Sequence, residues 1–139
     1  MKRHEALAPL SREHHTSLIL AQLLKKDAPV YKGLPETLSD KAAYSVKHYK
    51  ETLVQHFEKE ENMLQKVKKY HPGIEQLAAE ITSEHQVLKA LFYALEHAGS
   101  LEALLDHIGG SLEKHIRKEE RLLFPLIQEH CPEEILITI

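Results

Sequence analysis

Two copies of a four-residue step, His-x-x-x-Glu, contain the residues of this chain best suited to metal chemistry. They are His56 with Glu60 and His115 with Glu119. In an α-helix, residues i and i+4 lie about 40° apart around the axis and roughly 6 Å apart along it, so one imidazole and one carboxylate can reach a common ion. The sequence therefore predicts two equivalent ligand pairs.

Both pairs lie on apolar stripes at helical spacing. His56 and Glu60, for example, share a stripe with Leu53, Phe57 and Leu64. An unpaired carboxylate at such a core position would be costly. A single His–Glu pair is explained equally well by a hydrogen bond on a helix flank. Two pairs, with two further histidines on core stripes, favour a metal site.

The two further histidines each follow a glutamate. One is His85; the other is His14, which is adjacent to His15. Neighbouring residues lie about 100° apart around a helix, and His14 shares a side with Leu10 and Leu18. We therefore prefer His14 and keep His15 as the alternative. The predicted metal ligands are His14 (alternative His15), His56, Glu60, His85, His115 and Glu119.

Four imidazoles and two carboxylates suit iron, manganese or zinc, and the absence of thiolates from the set argues against an iron–sulfur cluster. Six ligands exceed the needs of one tetrahedral ion. Two ions bridged by Glu60 and Glu119, with two histidines each, would use all six and leave positions for water or a gas ligand.

Four other residues near the pairs have less certain roles. His48 and His107 each precede a pair by eight residues, about 12 Å along a helix, so we expect both outside the ligand set. Glu61 and Glu120 directly follow the pairs. We expect them to be solvated or to support a ligand, with Glu120 as a competitor of Glu119.

The elements that hold these residues are helices, because apolar residues recur every three or four positions almost throughout. We predict an all-α fold, a four-helix bundle in antiparallel up-down-up-down order, since the connections are short. The helices are predicted at about 10–26, 38–71, 74–98 and 101–129. Their predicted caps are Thr37 to Asp40 and Ser100, and their predicted weak points are Gly109, Gly110 and Pro125.

The chain also repeats itself. The second ligand pair lies 59 residues after the first, from 56 to 115 and from 60 to 119. The Glu-His step of the first helix recurs in the third. In a bundle, this repetition predicts two half-sites that face each other across one cavity.

Composition limits the remaining possibilities. A chain of 139 residues has the size of one domain, which we predict to span residues 1–139. The net charge of −3, with mixed signs, argues against a nucleic-acid partner. No apolar run approaches the roughly 18 residues of a membrane span. The lone Cys131 and the polar start of the sequence favour a cytoplasmic protein without disulfides.

Taken together, the motifs resemble the hemerythrin-like (HHE cation-binding) family over nearly the whole chain. They are Ser11-Arg12-Glu13-His14-His15, His56-Phe57 with Glu60-Glu61, Glu84-His85, and His115 with Glu119-Glu120 before Leu123-Phe124-Pro125. The resemblance implies a four-helix bundle with two non-haem iron ions, joined by an oxo or hydroxo bridge, that bind dioxygen or related small ligands. It implies the same six ligands. Zinc and manganese are the expected substitutes for iron.

One departure separates the chain from the oxygen-carrying members of that family, which have His-x-x-x-His on the third helix. Here the positions four residues from His85 are Ile81 and Lys89, so one histidine is missing. The set of four histidines and two glutamates is more similar to a bacterial branch that includes iron–sulfur-cluster repair proteins of nitric oxide stress. Those proteins usually have a further cysteine-bearing N-terminal segment, which this sequence does not contain.

The predicted function is binding or sensing of a small gas ligand, dioxygen or nitric oxide, in preference to catalysis. Two alternatives stay open. One is a di-iron enzyme or iron donor in oxidative or nitrosative stress and cluster repair, and the other is a regulatory bundle with a structural metal. A ferritin-like oxidase is disfavoured, because its Glu-x-x-His step does not occur in the sequence.

Overall fold

The computed structural model describes residues 2–97 and 101–139, and in these residues every regular element is helical. The predicted all-α class is confirmed. The first two predicted helices correspond to the following elements: α1 (Ala8–Leu24), α2 (Leu38–His48), a π-helix (Tyr49–Leu53), α3 (Val54–Val67) and a short 3-10 helix (Lys68–Tyr70). None of the described helices is long and apolar enough to cross a membrane.

The last two predicted helices correspond to a second series of elements: α4 (Pro72–His97), α5 (Leu101–Lys118), a second π-helix (Glu119–Leu123) and α6 (Phe124–His130). A short helix α7 (Glu133–Leu136), which was not predicted, follows them. Both long segments with a ligand pair therefore contain a π-helix. The second one begins at Glu119 itself.

Local sequence explains two of the helix ends that the structure describes. Thr37 is the N-cap of α2, where its hydroxyl accepts a hydrogen bond from the backbone N–H of Asp40 at 3.1 Å, as predicted. His71 has extended backbone angles, and Pro72 opens α4, a position where its missing N–H costs little. The predicted cap Ser100 lies outside the described residues.

The predicted weak points of the last segment behave differently from one another. Helix α5 runs unbroken through Gly109 and Gly110. A side chain at Gly109 would place its Cβ 2.7 Å from the carbonyl oxygen of Ala21, so this glycine lets α1 and α5 approach closely. The helix does change close to Pro125, as predicted. The second π-helix ends directly before the helical turn that contains this proline.

Two hydrophobic clusters fill the interior, and the predicted ligands lie between them along the helices. One cluster includes Leu20 and Leu24 of α1, and the other includes Leu7 and Leu10. His14 lies between these two levels. The same holds on α4, where His85 separates residues of the two clusters. The candidate site is thus enclosed by apolar side chains on both sides.

Candidate metal centre

The structure buries all six preferred candidates. The histidines His14, His56, His85 and His115 are each 2% exposed, and both glutamates, Glu60 and Glu119, are fully buried. His15, in contrast, is exposed. The structure therefore brings His14, and not the alternative, together with the other five residues.

Every buried histidine directs its Nε2 atom towards a central carboxylate. Three of the four histidines contact Glu60. Its carboxylate oxygens lie 3.2 Å from the Nε2 of His14, 3.0 Å from that of His56 and 3.0 Å from that of His85. Glu119 lies 2.7 Å from His115 Nε2. These atoms form two overlapping groups, each compact enough to hold an ion: His14, His56 and Glu60, and Glu60, His85, His115 and Glu119.

Several atoms of the cluster lack a hydrogen-bond partner among the described residues. They are both carboxylate oxygens of Glu119 and the Nε2 atoms of His56 and His115. Each imidazole nitrogen is within 3.0 Å of the glutamate one turn later on its own helix, but the angles do not suit a hydrogen bond. Buried polar atoms without partners are costly. Imidazole nitrogens and carboxylate oxygens together are a donor set that fits a bound cation.

Burial and neighbouring charges shift the pKa values of residues in the cluster. Burial and the neighbouring charge of Glu60 raise the pKa of Glu119 well above its ordinary value. Burial alone would also raise the pKa of Glu60, but Glu119 and the surrounding histidines hold it well below that value. The two carboxylates, close together and buried, thus differ in protonation.

Two histidines of the cluster have a raised pKa. Burial alone would lower the pKa of His14, but Glu120 and Glu60 raise it to about 10. Burial acts in the same way on His115, where Glu119 and Glu84 raise the pKa to about 9. Without a cation, these imidazoles therefore hold protons near neutral pH, at the positions that a metal ion would take.

Four further glutamates, here called the outer glutamates, bind the histidines at Nδ1, the ring nitrogen that does not face the central carboxylates. Each accepts a hydrogen bond from the Nδ1–H of one buried histidine, at 2.6 to 2.8 Å. The four pairs are Glu13 with His56, Glu61 with His85, Glu84 with His115, and Glu120 with His14. A glutamate that holds the Nδ1–H leaves Nε2 as the nitrogen from which a metal would displace a proton, so these contacts select the ligand tautomer.

The outer glutamates connect the four helical segments in a closed ring. Glu13 on the first segment holds a histidine of the second, Glu61 on the second holds one of the third, and Glu84 on the third holds one of the fourth. Glu120 returns from the fourth segment to the first. Each segment thus holds the buried histidine of the next one.

Comparison with known proteins identifies the family of the chain. The family described as hemerythrin HHE cation binding domain matches residues 5–127. The chain belongs to this family. Among curated proteins and solved structures, no significant match is found. Membership of this family indicates a helical, metal-binding domain. The buried histidine and glutamate groups of the chain fit a metal site.

Aromatic rings cover two of the imidazoles of this HHE domain. Phe57 stacks on His85, with ring centroids 4.1 Å apart, and Phe124 stacks on His14 at 5.6 Å. Both phenylalanines are buried. Together with the outer glutamates, these contacts restrict rotation of the two histidine rings.

The structure also shows where the other histidines and glutamates that were predicted near the ligand pairs lie. His107 is exposed, and His48 is half-buried with its Nε2 at 3.1 Å from the Ser17 hydroxyl, so neither joins the ligand groups. Glu61 and Glu120 each accept a hydrogen bond from a candidate ligand, which agrees with one of the two predicted roles. The same role of Glu13 and Glu84 was not predicted. Its only available signal was that each directly precedes a core histidine.

Proposed function

We propose that this HHE domain holds two iron ions, one in each of the two overlapping ligand groups. His14 and His56 would serve one ion, and His85 and His115 the other. Glu60 and Glu119 would be shared between them. The observation that supports two ions best is the membership of Glu60 in both groups, with its two oxygens directed to different histidines.

The proposed ligand is dioxygen or nitric oxide. A reduced di-iron centre supplies electrons and an exchangeable coordination position. The chain supplies the rest: the outer glutamates keep the Nε2 atoms directed inwards, and the two hydrophobic clusters limit access of water. We further propose that residues 1–139 form one domain, with the four segments in up-down-up-down order. The cluster that joins the end of α1 to the start of α2 supports alternating directions.

Metal analysis of protein purified aerobically without added metal tests the stoichiometry. We expect two iron ions per chain, because six ligands exceed the needs of one ion. The oxidised sample should absorb in the near ultraviolet, as bridged ferric ions do. A stoichiometry of one ion, or an iron-replete sample without this absorption, would contradict the proposal.

Ligand variants test the residue assignment. Glu60→Ala and Glu119→Ala should each lose at least one iron, because each removes a shared carboxylate. His14→Ala should also lose iron, whereas His15→Ala and His107→Ala change exposed side chains and should retain both ions. Equal iron loss in the buried and exposed variants would refute the assignment.

Reaction kinetics separate gas binding from catalysis. The positions four residues from His85 are Ile81, which is buried, and Lys89, which is exposed, so the further histidine ligand of the oxygen carriers is missing. With that ligand missing, we expect the reduced protein to oxidise outright in air instead of binding dioxygen reversibly. Stopped-flow absorption after anaerobic reduction measures this. Sustained consumption of peroxide or nitric oxide with an electron donor would make the protein an enzyme and overturn the proposal.

A further inference from the structure

Two surface pockets reach a buried histidine of the centre. The His85 pocket, of about 270 Å³, lies between α3 and α4 and is lined by His85, Phe57, Val54, Glu58, Glu61 and Lys89, among others. The His115 pocket, of about 300 Å³, lies between α4 and α5 and is lined by His115, Val87, Glu84, Lys114 and Lys118, among others. Either pocket gives a short path from solvent to an imidazole.

The charges of the two pockets are opposite. Glu58 and Glu61 outnumber Lys89 in the His85 pocket, whereas Lys114 and Lys118 outnumber Glu84 in the His115 pocket. A cleft whose lining has a net charge attracts ions of the opposite sign and repels those of its own. A cation therefore meets a favourable potential at the His85 pocket and an unfavourable one at the His115 pocket.

The outer glutamates of the two pockets are also held differently. Among the described residues, the hydrogen bonds and ion pairs of Glu61 involve His85 alone, at 2.8 Å, and its side chain is 37% exposed. Glu84, in contrast, is fixed by both His115 and Lys118. Glu61 thus has a free carboxylate oxygen at the mouth of its pocket, while the oxygens of Glu84 are both engaged.

We propose that divalent cations enter and leave the centre through the His85 pocket, with Glu61 as the first carboxylate on the path. Glu61 accepts from the Nδ1–H of His85 at 2.8 Å, and Nε2 of the same ring is 3.0 Å from Glu60, so a single imidazole separates the mouth of the pocket from the central carboxylate. This proposal rests on the proposed metal-binding function. It adds the route and the charge selectivity, which the ligand set alone does not determine.

A matched pair of exposed valines tests the route sterically. Val54 lines the His85 pocket and is 42% exposed, and Val87 lines the His115 pocket and is 53% exposed. Protein loaded with Co²⁺ is mixed with excess EDTA, and metal release is followed by absorption. Val54→Trp should slow release by about tenfold, whereas Val87→Trp should release at the parent rate. Both variants should retain the parent Co²⁺ content, because neither changes a ligand.

A matched pair of exposed lysines tests the charge. Lys89→Gln makes the His85 pocket more acidic, so Co²⁺ uptake by the demetallated chain should accelerate by about two- to threefold, and this gain should shrink at high salt. Lys114→Gln removes the same charge from the His115 pocket and should leave uptake unchanged.

The outcomes separate two kinds of failure. Equal rates in both members of each pair, or effects confined to Val87→Trp and Lys114→Gln, would overturn the route while the metal site stands. A parent chain that binds no Co²⁺ and no iron would overturn the proposed function, and the route with it.

Discussion

The two nitrogens of each buried imidazole have different partners, and this division decides which nitrogen faces the centre. Nδ1 donates to an outer glutamate, and Nε2 points to Glu60 or Glu119. A negative partner behind the ring also raises the basicity of the ligand nitrogen. The outer glutamates should therefore contribute to metal affinity without touching the metal.

Glu84→Gln tests this role. The amide keeps the size of the side chain but removes the charge behind His115, so metal affinity should fall roughly 10- to 100-fold. Competition with a metal-binding dye measures the change. Glu80→Gln is the matched control, because Glu80 lies one turn earlier and also pairs with Lys118 but does not contact His115. A similar loss in both variants would mean that surface charge, and not the hydrogen bond to the histidine, sets the affinity.

The raised pKa values of the centre predict the direction of its pH dependence. His14 and His115, with pKa values of about 10 and about 9, and Glu119, with its raised pKa, hold protons at neutral pH in the metal-free chain. A metal ion must displace these protons, so apparent affinity should fall as the pH decreases from about 9 to about 6.

Calorimetric titration in two buffers with different heats of ionisation counts the released protons. We expect net release at neutral pH. The Glu84→Gln change should reduce it, since loss of the carboxylate lowers the pKa of His115. Affinity that stays constant between about pH 6 and about pH 9, without proton release, would contradict the protonation states inferred for the metal-free centre.

At the same scale, the sequence predicted the six central residues because they combine unusual side chains with core positions at helical spacing. The preference for His14 over His15 followed from the apolar neighbours of His14. The roles of Glu13 and Glu84 were not predictable in this way. Each looks like a surface residue on its own helix, and its partner is a histidine on a different helix, which a helical period cannot reveal.

At the scale of elements, close approach of α1 and α5 depends on one glycine. Gly109 lies against the Ala21 carbonyl oxygen and the Leu24 side chain, whereas nothing lies within 4 Å of the Cβ position at Gly110. Gly109 and Gly110 are equally unfavourable residues for an isolated helix. They differ only in what a methyl group would meet.

Gly109→Ala and Gly110→Ala should therefore change stability in opposite directions. Alanine gains about 1 kcal/mol of helix propensity over glycine, so Gly110→Ala should raise the free energy of unfolding. At Gly109, separation of the two helices should outweigh this gain, with a net loss of about 1–3 kcal/mol. Urea unfolding followed by circular dichroism measures both. If both substitutions raise the free energy of unfolding, α1 and α5 can separate at Gly109 at little energetic cost.

Sequence predicted the helical segments within a few residues but not the interruptions inside them. A π-helix changes the hydrogen-bond partner from i−4 to i−5 for a few residues only, as at Phe124, which bonds to Glu119. Such a short change leaves the apolar pattern nearly unaltered. Pro125 was the one visible signal, and it marked the end of the second π-helix. Nothing comparable marks the first one.

At the scale of the whole molecule, the position of the centre between two apolar clusters bears on the role of the metal. Each cluster joins residues from several helices and contains no member of the ligand set. We expect these clusters to keep the helices packed when the metal is removed. The metal should add stability through binding without being the condition for folding.

Metal removal with a chelator tests this expectation. The metal-free chain should retain most of its helical circular dichroism, and its Tm should fall by several degrees and recover when iron is returned. Collapse of the helical signal on chelation would instead support the regulatory bundle with a structural metal. A matched sample of the Glu60→Ala variant, handled without chelator, separates loss of the metal from effects of the reagent.

The ring of outer glutamates has the connectivity of a symmetric dimer. Glu13 to His56 and Glu84 to His115 link the first segment to the second and the third to the fourth, whereas Glu61 to His85 and Glu120 to His14 link the second segment to the third and the fourth to the first. Exchange of the first two segments with the last two would interchange the members of each kind. A peptide of the first two segments alone contains every type of donor and acceptor in the ring, so two copies of it would supply the residues of the whole ring from a sequence half as long.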